Sequence, residues 1–173
     1  MKYKIRINDE DYIRFNIFHA NHSKEGKRSK NMQRVRLPIL SLLIIMVFFL
    51  AGAKYGLIIT EAIFMTVFCV LWWIFLPKMM EKNIRKYINR MKSEGKLPYH
   101  ADSEIEFQDS MIVETSEQGE VRVDYKDIEN ICLEQDYLYI YFSAAQAFII
   151  PFHCLGEDKE RVVEYITGKA EVG

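Results

Sequence analysis

Residues 37–76 are short of charge: in forty positions only Lys54 and Glu61 are ionised. A chain of 173 residues has little else to bury such a stretch, which argues against a plain soluble globule. Cysteine is scarce as well. Cys69, Cys132 and Cys154 form no CxxC pair, so no zinc or redox motif is spelled out, and all three read as free thiols. There is no glycine-rich phosphate loop and no Ser/His/Asp spacing. The chain reads as non-enzymatic, with no catalytic residue, no cofactor and no metal site expected.

The apolar material is divided. Residues 37–53 form a run of 17 and residues 57–76 a run of 20. A membrane-crossing helix needs about 20 apolar residues, with roughly 17 to 25 tolerated. One helix over all forty residues would be about 60 Å long, twice the roughly 30 Å hydrocarbon core. The chain is therefore expected to turn back at "AGAKYG", residues 51–56. The first run starts too far in, and the second follows too soon, for a cleaved signal peptide.

Charge gives the orientation. Residues 1–36 carry ten Lys/Arg against four Asp/Glu, a net of +6; residues 78–98 carry seven against two, +5. Residues 99–173 carry five against seventeen, −12. Positive charge beside span ends stays cytoplasmic. The expectation is a two-span protein of the bacterial cytoplasmic membrane, with both termini inside, Lys54 outside and the lipid bilayer as first partner.

Four segments follow. Residues 1–36 hold a strand at "YKIRI", then Asn8 as the N-cap of an aromatic helix with Asp9, Glu10 and Asp11 in its first turn. That helix either lies at the membrane interface or packs on the cytoplasmic domain, and packing is favoured because the strand must pair with something. Gly26 is read as its break, before a basic helix leads into the first span. Residues 37–77 are the hairpin. Residues 78–98 read as a separate basic amphipathic helix beginning after Pro77 and ended by Gly95 and Pro98. Met80, Ile84, Tyr87, Ile88 and Met91 form its apolar stripe, and Lys82, Arg85, Lys86 and Arg90 its membrane-surface face; the stripe either lies on lipid or packs on a neighbouring helix.

From residue 99 the period becomes two. "SEIEFQ", "MIVETS", "GEVRVDY", "DIENICLE", "YLYIYF" and "QAFIIPF" are separated by turns every eight to twelve residues, which indicates a small antiparallel sheet. Val121, Val123 and Tyr125 share one face. "GEDKERVVEYITG" closes the chain as a helix docked by Val162, Val163 and Ile166, with Gly168 as its stop. The fold class is thus an α+β membrane protein: a two-helix hairpin plus a small cytoplasmic β domain closed by a C-terminal helix.

The strands, "YKDIENI", two further strands and a terminal helix, together with "INDEDYIRFNIFHANHS" near the start, resemble the YcxB-like family of two-span bacterial membrane proteins. The late part also resembles bacterial pleckstrin-homology-like (PH-like) domains, with Tyr125, Asp127 and Ile128 at a strand start. The resemblance implies an architecture and carries over no functional residue.

Tyr137, Tyr139 and Tyr141 lie on one strand face. Covered by a helix they are core; uncovered they are a partner-binding surface. Glu61 is the only acid in the spans and is expected to reach the outer interface rather than mark an ion path. His19 and His22 could share a metal but have no third ligand nearby. His153 and Cys154, read as neighbours on a strand, would point to opposite faces and form no nucleophile pair. The −12 domain disfavours nucleic acid and anionic lipid. The expected function is a membrane-anchored interaction module, an adaptor or regulator with a membrane or cytoplasmic protein partner; a homo-oligomeric transport or channel component is the alternative.

Overall fold

Asn8 ends one element and starts the next. The alternating residues before it form strand β1 (Lys2–Arg6). Its Oδ1 accepts the backbone N–H groups of Glu10 at 2.8 Å and Asp11 at 3.0 Å, while Asp11 Oδ2 accepts the Asn8 N–H at 2.8 Å. This reciprocal capping box launches helix α1 (Asp9–His22), whose first turn holds the three acids the sequence places there. The structure, a computed structural model, describes residues 1–97 and 99–170. Pro98, read as part of a helix stop, lies outside the described residues. The chain forms two compact units, one of Met1–Asn16 and Ile88–Gly173, the other of Ile17–Tyr87.

The first unit holds seven strands. β2 (Asp102–Phe107), β3 (Met111–Ser116), β4 (Gly119–Asp124), β5 (Asn130–Glu134), β6 (Tyr137–Tyr141) and β7 (Ala147–Pro151) fall where the alternation predicts them. They make two antiparallel sheets rather than one, ordered β1-β2-β3-β4 and β5-β6-β7. β1 pairs with β2, Lys2 opposite Glu106 and Arg6 opposite Asp102, so the first strand completes a sheet begun a hundred residues later. Period-two spacing puts Ile5, Ile105, Phe107 and Ile112 into the core, and Val113, on the opposite face of β3 from Ile112, is buried as well. β6 is buried on both faces, with Leu138, Tyr139 and Ile140 fully inside. Val121 departs from expectation: it is 45% exposed on the outer strand β4, while Val123 and Tyr125 are buried.

Helix α4 (Lys159–Ala170) closes this unit through Val162 and Ile166, both fully buried; Val163 is only half-buried. The Tyr165 hydroxyl and the Tyr125 hydroxyl both donate to the Gln108 carbonyl at 3.0 Å, and Lys169 Nζ donates to the Asp109 carbonyl at 2.9 Å. That last contact ties down the final turn. Gly168 lies inside the helix and does not stop it, because glycine permits a helix end without forcing one.

The second unit holds α2 (Lys24–Leu50) and α3 (Tyr55–Ser93) as far as Tyr87, joined by a short turn with Gly52 at φ +73°, a value that favours glycine. The break after α1 is made by Ser23, not Gly26. Ser23 Oγ accepts the Gly26 N–H at 3.0 Å and caps α2. α3 corrects a second expectation. Its 39 residues run through Pro77 without interruption, so residues 78–93 continue the helix of the second apolar run. A proline removes one backbone bond from a helix, which the remaining turns can outlast. The stripe is shifted as well: Ile88 is buried but Tyr87 is 55% exposed.

Candidate functional site

The sequence singles out the tyrosine row on β6, and the structure places it under α1. Tyr137, Tyr139 and Tyr141 are 7%, 0% and 8% exposed. Phe15 of α1 lies 5.4 Å from the Tyr139 ring and 5.9 Å from that of Tyr141, centroid to centroid. The Tyr137 hydroxyl donates to Asp11 Oδ1 at 2.7 Å. Asp11 is itself buried, so one carboxylate both caps α1 and clamps the helix to β6. Arg14 stands 5.9 Å over the Tyr137 ring and pairs with Asp136 at 3.7 Å. Of the two alternatives open in the sequence, the covered row is the one found. A partner could reach these rings only after α1 lifted.

A second clamp stands beside the first. Asp9 accepts hydrogen bonds from Lys92 Nζ and from the Tyr99 hydroxyl, the latter at 2.5 Å. The Tyr12 ring stacks on Tyr99 at 4.7 Å. Lys92, then Tyr99, holds the Asp9 carboxyl below its usual range. Burial, then Asp9, raises the Tyr99 phenol. Tyr137 is pushed up to about 12 by burial and then by Asp11; Tyr141 reaches about 12, chiefly by burial. Tyr139 is raised further by burial and by Glu134. Such phenols are held neutral, as packing groups rather than acids.

His153 and Cys154 sit on a 3-10 turn, Phe152–Cys154, and not on a strand, so face alternation does not apply to them. Both line a cleft of about 590 Å³ with Lys4, Arg6, Ser103 and Glu104. The Cys154 Sγ faces the Arg6 carbonyl at 3.9 Å, and Ser103 Oγ donates to Glu114 at 2.8 Å. Burial raises the Cys132 thiol, which makes it less reactive. Among the described residues, no group of three His, Cys, Asp or Glu side chains could hold a metal. His22 lies against the Phe18 carbonyl at 3.0 Å and stacks on the Phe18 ring.

The hairpin helices are long and apolar enough to cross a membrane. Leu42, Phe49, Leu57 and Phe64 are each more than 60% exposed. At the basic end, Trp72 Nε1 donates to the Gln33 carbonyl at 3.3 Å, and Arg34 lies 5.1 Å over the Trp73 ring. An apolar groove of about 660 Å³ between α2 and α3 includes Ser41, Thr66 and Cys69. Its hydroxyls are used within their own helices: Ser41 donates to the Pro38 carbonyl at 2.8 Å and Thr66 to the Ala62 carbonyl at 2.7 Å. Glu61 is half-buried, six residues into α3. Lys82, Arg85, Lys86 and Arg90 are exposed on the same continuous helix. They therefore belong to one long helix with the second apolar run rather than to a separate one.

The fold defines an α+β chain: two long apolar helices, and antiparallel sheets closed by a terminal helix. Residues 107–166 match the family described as YcxB-like protein. The match begins at Phe107 and ends at Ile166, both core residues. No curated protein matches the chain, and neither does any solved structure.

Proposed function

We propose that the protein is a membrane-anchored interaction module. A hairpin of α2 and α3 sits in the bacterial cytoplasmic membrane with both termini inside, and a cytoplasmic PH-like domain engages a protein partner as an adaptor or regulator, without catalysis. The observation that carries the reading is the unburied apolar surface of α2 and α3, in one chain with a fully cored β domain. Water does not tolerate so large an apolar surface, and a bilayer does. Four strands and three strands closed by a helix support the PH-like assignment. The +6 and +5 flanks support the orientation, and the −12 of residues 99–173 argues against anionic lipid or nucleic acid as the ligand.

Two measurements test this. A Lys54→Cys variant with the native cysteines replaced is expected to react with an impermeant maleimide on intact cells. Labelling only after the membrane is opened reverses the topology. Native purification in mild detergent after in-cell crosslinking is expected to recover a stoichiometric protein partner. Recovery of the chain alone counts against the adaptor. A homo-oligomeric transport component is the alternative, and ion flux in liposomes decides for it; the self-satisfied hydroxyls of Ser41 and Thr66 argue against a wet path.

A further inference from the structure

β5 is the outer strand of its sheet. β6 pairs with it on one side, and among the described residues no backbone hydrogen bond to another element leaves Asn130–Glu134 on the other. A strand left so offers its N–H and C=O groups to another extended chain. Beside it a cleft of about 560 Å³ opens between the end of β5 and α4. Its apolar part is Leu133, Phe152 and Val163. Leu133, at 58%, is the most exposed large apolar side chain among described residues 94–170. Its rim is acidic: Glu134, Glu160 and Glu164. The one cation present, Lys159, is turned onto the Phe152 ring, 4.0 Å from its centre. Among the described residues, no cation stands within ion-pair distance of Glu160 or Glu164. The spacing has a simple cause: Lys159, Glu160, Val163 and Glu164 recur at one helical turn and so share a face of α4.

We propose that this cleft receives an extended, basic segment of a partner protein. The segment adds as an outer strand to β5. An apolar side chain packs on Leu133 and Val163, and Lys or Arg side chains meet Glu160 and Glu164. The −12 of residues 99–173 draws such a segment in and repels a phosphate. The inference deepens the adaptor reading and rests on it.

The test uses the full chain in nanodiscs of uncharged lipid at physiological salt. The probe is a short synthetic peptide alternating lysine and valine. Photo-crosslinking residues are placed at Leu133 and, for comparison, at Val121. The expected result is an adduct at 133 and none at 121. Affinity falls roughly five- to tenfold in the Glu160→Gln/Glu164→Gln variant, as two exposed ion pairs are lost. A proline in the middle of the peptide, which removes a pairing N–H, weakens binding as well. Equal adducts at both positions, an unchanged affinity in the double variant, or full binding of the proline peptide overturns the inference. A partner recovered from cells and crosslinked elsewhere, with no peptide adduct at 133, overturns it and leaves the adaptor reading intact. A peptide adduct at 133 with no partner recovered from cells supports the cleft and counts against the adaptor reading alone.

Discussion

Asp11 on α1 and Tyr137 on β6 are 126 positions apart in sequence and 2.7 Å apart in space. The bond joins the start of the chain to the middle strand of the second sheet. The same carboxylate closes the capping box with Asn8. A Tyr137→Phe change leaves a buried carboxylate oxygen without its donor and is expected to cost about 1–3 kcal/mol. Asp11→Ala removes the clamp and a cap together and is expected to cost about 2–4 kcal/mol. The two losses should be strongly non-additive in a double-mutant cycle followed by thermal unfolding. Additive losses would show that the two groups do not act as a pair.

The tyrosine row makes a prediction about alkaline pH. Tyr137 and Tyr141 are raised from the ordinary 10.0 to about 12. A phenol whose folded value lies above its unfolded value contributes stability that is complete below pH 10 and is lost as pH rises through about 12. Tyrosinate absorbance should therefore show a late-titrating group of phenols, appearing together with loss of near-ultraviolet dichroism between those limits. Phenols that all titrate near 10 while the fold persists would contradict the burial.

At the other end of the scale, Asp9 is held below its usual range by Lys92 and Tyr99. Its contribution is present above the ordinary carboxylate value of 3.8 and is lost as pH falls below it. Asp9→Asn should flatten the acid limb of the stability curve between about pH 4 and 2. A limb identical to that of the parent protein would show that the contact carries no linkage.

Gly26 sits where α2 leaves the corner after α1. A Cβ built there would fall 2.4 Å from the Ala20 carbonyl oxygen, a backbone atom that cannot swing away. Gly26→Ala is expected to destabilise the protein by about 1–3 kcal/mol. Gly56 is the contrast, with nothing within 4 Å of the same added atom. Gly56→Ala lies in a helix and should be neutral or gain up to about 1 kcal/mol. Melting curves of the two variants in detergent decide the matter, and equal behaviour would refute the crowding at the corner.

The six strands from residue 102 onward were legible because alternation and turn residues are local signals. So was the Asn8 cap, whose partners lie within three positions. The hairpin turn followed from lengths alone. What was not legible is long-range or permissive. Nothing near β1 says that Glu106 is the partner of Lys2, and nothing on β6 says that Phe15 covers Tyr139. Proline and glycine misled in the same direction: Pro77, Gly26 and Gly168 allow a helix to end without forcing it, and all three lie inside helices. Leu133 and the acidic face of α4 were visible only as separate pieces, since their nearness depends on how β5 and α4 pack.

The pairing of β1 with β2 also has a consequence in time. The edge strand β1 leaves the ribosome before its partner β2, which follows only after α1, α2 and α3 have been made. Closing so long a loop is slow compared with forming the later hairpins. The domain can therefore be finished only once the whole hairpin exists, and a chain stalled before that point holds β1 as a lone strand with no sheet to join.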